Sequence, residues 1–143
     1  MKNQMLRNAI LAFVVVTLLY TIYQTATGGL YLSDTPKKEN VTKVIIEYPD
    51  VAEEAKEYTD SENIELACNL PSFCRYSVFG IPDETEDPLV TVTYVLESGE
   101  TVSLAVNNTT VWWDGNTYDL KEEEPAVLLT QGVFFYDETT AEE

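Results

Sequence analysis

The sequence predicts an α+β protein: an N-terminal transmembrane helix, then a small domain whose antiparallel β-meander is packed by one or two short helices. Three observations predict it. Ala9 to Tyr23 (AILAFVVVTLLYTIY) is almost wholly apolar, and no charge occurs between Arg7 and Asp34. Residues 89–120 alternate apolar and polar side chains at the period of a half-buried strand, broken by short turn dipeptides. Between them, Ile64, Ala67, Cys68 and Pro71 fall at helical spacing behind an acidic, hydroxylated start. The organisation expected is a signal-anchor segment over 1–31, a linker over 32–40, an acidic extracytoplasmic domain over 41–136 and an acidic tail over 137–143.

The apolar segment sets the compartment. A bilayer core about 30 Å thick needs roughly 20 helical residues. Extension through Gln24 to Leu32 supplies that length without charge, and Tyr20, Tyr23 and Tyr31 suit a membrane–water interface. Lys2 and Arg7 ahead of it also suit a secretory signal, whose cleavage site would fall at Ala26-Thr27-Gly28, a poor match to the small-residue pattern. The expectation is a single-pass anchor in the cell membrane with the C-terminal domain extracytoplasmic; the alternative is secretion after signal cleavage. Lys37, Lys38 and Lys43 on the far side weaken a decision made on basic residues alone.

Pro36 in the polar stretch 32–40 stops any helix there. Val41–Tyr48 (VTKVIIEY) is rich in β-branched residues and predicts the first strand. Pro49-Asp50 is a turn, and 51–58 stays open between a helical turn and a loop. Thr59-Asp60-Ser61-Glu62 fits a capping box with Thr59 as N-cap. The helix it opens runs to about Leu70 and stops at Pro71-Ser72. Cys74–Phe79 predicts a strand and 80–88 an exposed acidic loop. A four-stranded meander follows, turning at Ser98-Gly99, at Asn107-Asn108, where Asn tolerates positive φ, and at Asp114-Gly115. Ala126–Gln131 predicts a helical turn capped by Gly132, and Val133–Tyr136 a last edge strand.

Charge narrows the function classes. The net charge is −17 with 25 acidic residues; all of these but Asp34 and Glu39 lie beyond Val41, where Lys43, Lys56, Arg75 and Lys121 are the basic residues. Nucleic-acid binding depends on Lys and Arg neutralising phosphates, so no nucleic-acid partner is expected. Such a surface favours solubility, association with cations or a basic protein partner. The chain has no His, which removes Ser-His-Asp and Cys-His catalysis within it, and it has no phosphate-cradling glycine loop. No enzymatic activity and no cofactor are expected. The acidic runs Asp83–Asp87 and Glu122–Glu124 lack the spacing of a calcium loop.

The candidate site residues are few. Cys68 and Cys74, six positions apart across a helix end, are expected to form a disulfide in an oxidising compartment. Two Cys without His do not complete a four-ligand zinc site. Trp112 and Trp113 point to opposite faces of one strand; with Tyr94 and Tyr118 they are the candidate aromatic surface for a glycan or small ligand, against ordinary core packing.

The order of strand, helix opened by Thr-Asp-Ser-Glu-Asn-Ile, meander with a Ser-Gly hairpin, and Leu128-Leu129-Thr130-Gln131-Gly132-Val133-Phe134-Phe135 resembles small uncharacterised extracytoplasmic domains of Gram-positive bacteria. The resemblance spans about 41–136 and implies fold and placement behind an N-terminal signal or anchor. It carries no activity, and Cys68 and Cys74 are no part of its pattern. The function expected is a membrane-anchored, non-catalytic binding or accessory module, with a cell-wall glycan or small-ligand binder as the alternative.

Overall fold

The computed structural model describes residues 1–121 and 125–136. The tail over 137–143 and the run Glu122–Glu124 lie outside the described residues. The architecture is α+β: a long apolar helix, then an antiparallel sheet covered on one face by short helices.

Helix α1 spans Lys2–Gly28 and none of its residues is buried. Its best 18-residue window has a mean hydropathy of 1.9, so by length and composition it can cross a membrane or serve as a signal sequence. At about 1.5 Å per residue it is about 40 Å long. Thr17, Thr21 and Thr27 return their hydroxyls to carbonyls four residues back, which satisfies them without water.

After α1 the chain enters the domain at once. Strand β1 (Leu30–Tyr31) pairs antiparallel with β4 (Arg75–Tyr76), Leu32 is buried, and its N–H donates to the Cys74 carbonyl oxygen at 3.2 Å. The stretch expected as a linker is therefore part of the fold; a 3₁₀ turn over Lys38–Asn40 completes it.

The main sheet has six strands in the order β3-β2-β5-β6-β7-β8, every neighbouring pair antiparallel. Strand β2 spans Val41–Glu47 and β3 spans Lys56–Tyr58, so the open segment 51–58 is a turn and bend that ends in a short edge strand. The meander is β5 (Val90–Leu96), β6 (Thr101–Val106), β7 (Thr110–Trp113) and β8 (Asn116–Asp119), as the alternation predicts. Gly99 at φ 86°, and Asp114 and Gly115 at 45° and 80°, make two of its turns. The third works differently. Neither Asn107 nor Asn108 has positive φ; the Asn107 Oδ1 accepts from Thr109 N–H and Thr110 N–H at 2.9 and 2.8 Å, so a side chain closes the turn.

Helix α2 (Ser61–Asn69) is capped by Asp60, one residue later than expected. The Asp60 Oδ2 accepts from Asn63 N–H at 2.9 Å, and the Asn63 amide returns to Oδ1 at 3.1 Å. Asp is at least as good a cap as Thr and brings its negative charge to the helix start. A 3₁₀ turn over Leu70–Phe73 follows, with Pro71 where its missing N–H costs nothing. Strand β4 is accordingly only two residues long, not the six expected.

Helix α3 spans Pro125–Phe134 and replaces both the predicted helical turn and the predicted edge strand. Gly132 lies inside it. Ala126, Val127, Thr130 and Phe134 are buried at helical spacing, and the Thr130 hydroxyl donates to the Ala126 carbonyl oxygen. The aromatic run that resembles a strand instead packs by its rings. Tyr48 meets Phe135 edge-on at 5.7 Å, and Tyr58 meets Phe134 at 5.1 Å. Lys56 donates from Nζ to the Phe134 carbonyl oxygen at 2.9 Å, a cation at the helix C-terminus where the dipole favours it.

Val44, Ile46, Val90, Val92, Tyr94, Leu104 and Val111 form the sheet's covered face and are essentially inaccessible. Burial of each aliphatic side chain contributes about 1.5–3 kcal/mol. α2, the 3₁₀ turn and α3 lie over this face. The opposite face carries Ile45, Thr93, Val95 and Ser103 and is partly open.

Candidate functional site: an apolar groove between the short helices

The expected aromatic surface is taken apart by the fold. Tyr94 is wholly buried, and its hydroxyl donates to the Ala67 carbonyl oxygen at 2.6 Å, tying β5 to α2. Burial pushes its phenol well above the usual tyrosine range. Trp113 is buried beside it, ring centroids 6.4 Å apart at 86°. Tyr118 shares this side of the sheet, opposite Val111, and packs on Tyr76 at 4.5 Å. Trp112 alone faces the other way, half-buried between Ala105 and Thr117. Strand alternation splits the four residues across two faces.

Cys68 and Cys74 are not bridged: both are buried free thiols. The Cys74 Sγ turns back along its own 3₁₀ segment to 3.8 Å from the Leu70 carbonyl oxygen. Burial pushes the Cys74 thiol up to about 12. Burial, with Glu39 and Glu65 nearby, raises Cys68 to about 11. At neutral pH both are protonated and weak nucleophiles.

The loop over 83–88 folds onto the sheet. The Asp83 carboxylate is used within the loop, accepting from the Thr85 N–H and hydroxyl, which holds its pKa below the usual aspartate value. Glu84 accepts from the Thr117 hydroxyl, and the Thr110 hydroxyl donates to the Asp83 carbonyl oxygen. The Asn107 amide donates to the Glu86 and Asp87 carbonyl oxygens, both at 3.4 Å. Among the described residues no three Asp, Glu or Cys side chains converge as a metal cluster.

An apolar candidate binding feature lies between the short helices. A groove of about 160 Å³ runs between α2 with its 3₁₀ extension and α3. Leu66, Leu70 and Phe73 form one wall, and Leu129, Val133 and Phe134 the other; Asn69 is its polar member. Leu66, Phe73 and Val133 are 41, 48 and 45% exposed although they sit on elements already packed to the core. α2 buries Ile64, Ala67 and Cys68 and turns Leu66 away from them, so the exposure follows from helical geometry. Outside the groove, Lys38 pairs with Glu65 of α2 at the surface. The sequence signal was available. With a helix begun at Pro125, Leu129 and Val133 are four apart on a stripe beside the buried one. Reading 133–136 as a strand concealed it.

Neither a known protein family nor a curated protein matches this chain. A solved NMR structure of a protein from Ruminococcus gnavus is similar over 63% of this chain and 92% of its own, at 20% identity and a TM-score of 0.40. A likeness at that level carries no structural argument.

Proposed function

We propose that the protein is a membrane-tethered, non-catalytic binding module, with α1 as its retained anchor and the α2–α3 groove as its partner site. The observation that carries this reading is the groove itself: apolar side chains left exposed on two elements whose core-facing sides are already buried. The partner class it fits is a protein segment that presents an apolar stripe flanked by basic residues, because the surrounding domain is strongly acidic. The absence of His and the engagement of the Asp83 loop in its own hydrogen bonds support a binding rather than a catalytic role.

In this reading the domain lies outside the cytoplasm. Lys2 and Arg7 on the opposite flank of α1 support this, as does the resemblance to extracytoplasmic domains of Gram-positive bacteria. Free thiols are compatible with an oxidising compartment when burial keeps them protonated. Protease added to intact cells should digest the domain and leave α1 protected; a fully protected domain would refute the placement.

Photocrosslinkers at Leu66, Phe73 and Val133, tested in the native cells, address the binding site. A discrete adduct from these positions, absent from a probe at Ser98 and lost on Leu129→Glu in a protein that keeps its fold, is the expected result. Identical adducts from all positions, or none from the groove, would refute it.

A further inference from the structure

The turn that follows β4 presents three large apolar side chains to the outside. Val78, Phe79 and Ile81 are 37, 77 and 89% exposed. The α2–α3 groove does not include them, and they join no core cluster. Their position is specific. Val78 and Phe79 line a shallow cavity of about 230 Å³ together with Thr21, Ile22, Thr25 and Ala26, the last two turns of α1.

We infer that Val78, Phe79 and Ile81 form a second membrane contact, inserted beside α1 into the acyl-chain boundary of the same bilayer. The inference rests on the reading of α1 as a membrane span. If Gly28 ends the span, roughly 20 residues of hydrocarbon core reach back to Ala9, just past Arg7. Thr21 then lies only about 10 Å below the end of the helix. The Val78 and Phe79 side chains seated against Thr21 and Ile22 are at lipid depth, where water would otherwise have to cover an exposed phenyl ring and an isopropyl group.

The turn is built to hold that position. Ser77 N–H donates to the Asp119 carbonyl oxygen at 2.8 Å, and Gly80 N–H closes back to the Ser77 carbonyl oxygen at 3.4 Å. A Cβ on Gly80 would lie 2.6 Å from the Asp119 Cβ, so the glycine lets the turn seat directly on β8. On the other side of β4, the Arg75 guanidinium stands 6.0 Å over the Tyr31 ring, an aromatic–cation pair suited to headgroup level. The acids next in the chain are turned toward the domain, Asp83 into its own loop and Glu84 to Thr117. Apolar insertion, and not attraction to anionic lipid, is therefore the interaction, in keeping with a net charge of −17.

The test uses the full chain in phosphatidylcholine vesicles, carrying Phe79→Cys or Ile81→Cys labelled with an environment-sensitive fluorophore. The buried, protonated Cys68 and Cys74 label slowly at neutral pH. The control is Glu53→Cys, exposed beside β3 at the other edge of the sheet, five strand spacings or roughly 24 Å from β8. Labels at 79 and 81 should emit to the blue and lose most of their fluorescence to a nitroxide on the upper acyl chain of the lipid. The label at 53 should respond to aqueous iodide only. Carbonate-resistant protein whose 79 and 81 labels respond like that at 53 would overturn this inference and leave the anchor standing. Extraction of the protein by carbonate would overturn both.

Discussion

The Trp113 indole donates from Nε1 to the Ser33 carbonyl oxygen at 2.9 Å, joining residues 80 apart in sequence. Trp113 is a core residue of β7, and Ser33 belongs to the segment that leaves α1. With the β1–β4 pairing and buried Leu32, this bond fixes the start of the domain onto its sheet. The segment that leaves α1 is consequently fixed to the sheet and is not a free linker.

Trp113→Phe removes that donor and leaves the Ser33 carbonyl without it. The expected loss is about 1–3 kcal/mol by chemical denaturation of the full chain in detergent, from the hydrogen bond and the smaller ring. A structural role confined to the core would stop there. If the bond also holds the segment after α1, trypsin should cut after Lys37 and Lys38 faster than in the unmodified protein while the rest of the domain stays resistant.

Asn107 is 2% exposed, and its side chain serves the β6–β7 turn and the acidic loop together. Asn107→Ala would strip a partner from the buried Thr110 N–H, at a cost of about 1–3 kcal/mol. Amide exchange should accelerate at Thr109 and Thr110. An unchanged exchange rate at Thr110 would show that the turn closes without the Asn107 carbonyl oxygen.

Asp60 gives a pH-dependent readout of the α2 cap. Hydrogen bonds from the Asn63 backbone and then its side chain hold its carboxyl below the ordinary 3.8. A depressed carboxyl contributes stability that is complete above the unfolded value and disappears as pH falls through the folded one. The Asn63 amide resonance should therefore titrate with a midpoint below 3.8, and Asp60→Asn should abolish that titration while retaining the cap. A midpoint at or above 3.8 would contradict the observed geometry.

The parts of this fold legible in the sequence are those that local rules determine. Alternation of Val90, Val92 and Tyr94 against threonines, with Ser98-Gly99 and Asp114-Gly115 as turns, is enough to place the meander, because side-chain period and turn chemistry agree. Val133-Phe134-Phe135 has strand propensity, yet ring contacts with Tyr48 and Tyr58, which are remote in sequence, hold it at the end of a helix. The stretch around Ser33 is polar enough to suggest a linker, and only partners distant in sequence, Cys74 and Trp113 among them, show otherwise. The candidate groove was hidden for the same reason: half of it stands on α3, whose helical state depends on those long-range contacts. Three of the four aromatic candidates, Tyr94, Trp113 and Tyr118, share the face that the short helices and Tyr76 cover, a burial that the strand pattern alone does not reveal.

The two thiols make the last prediction. In the unfolded chain each ionises near 9.0, while burial in the folded state pushes Cys68 to about 11 and Cys74 to about 12. Raised folded values mean that the unfolded state releases protons first, so stability is full below pH 9 and falls as pH rises from there through the folded values. Each fully buried thiol removes about 1.4 kcal/mol per pH unit in that window. Cys74, enclosed at zero exposure, should approach this slope, and Cys68, nearer the surface, should fall short of it. Tyr94 and Tyr48, both raised by burial, add to the decline once their own unfolded value near 10 is passed. Denaturation of the full chain in detergent between pH 8 and 11 should show a steepening loss that Cys74→Ala makes shallower. An aromatic disulfide reagent, which a thiolate attacks to form a mixed disulfide and release an aromatic thiolate, should react with both cysteines far more slowly than with a free peptide thiol at pH 8, and at the free rate after unfolding. A stability curve flat from pH 9 to 11, or rapid modification of folded protein, would show that the thiols are not buried in the protonated state.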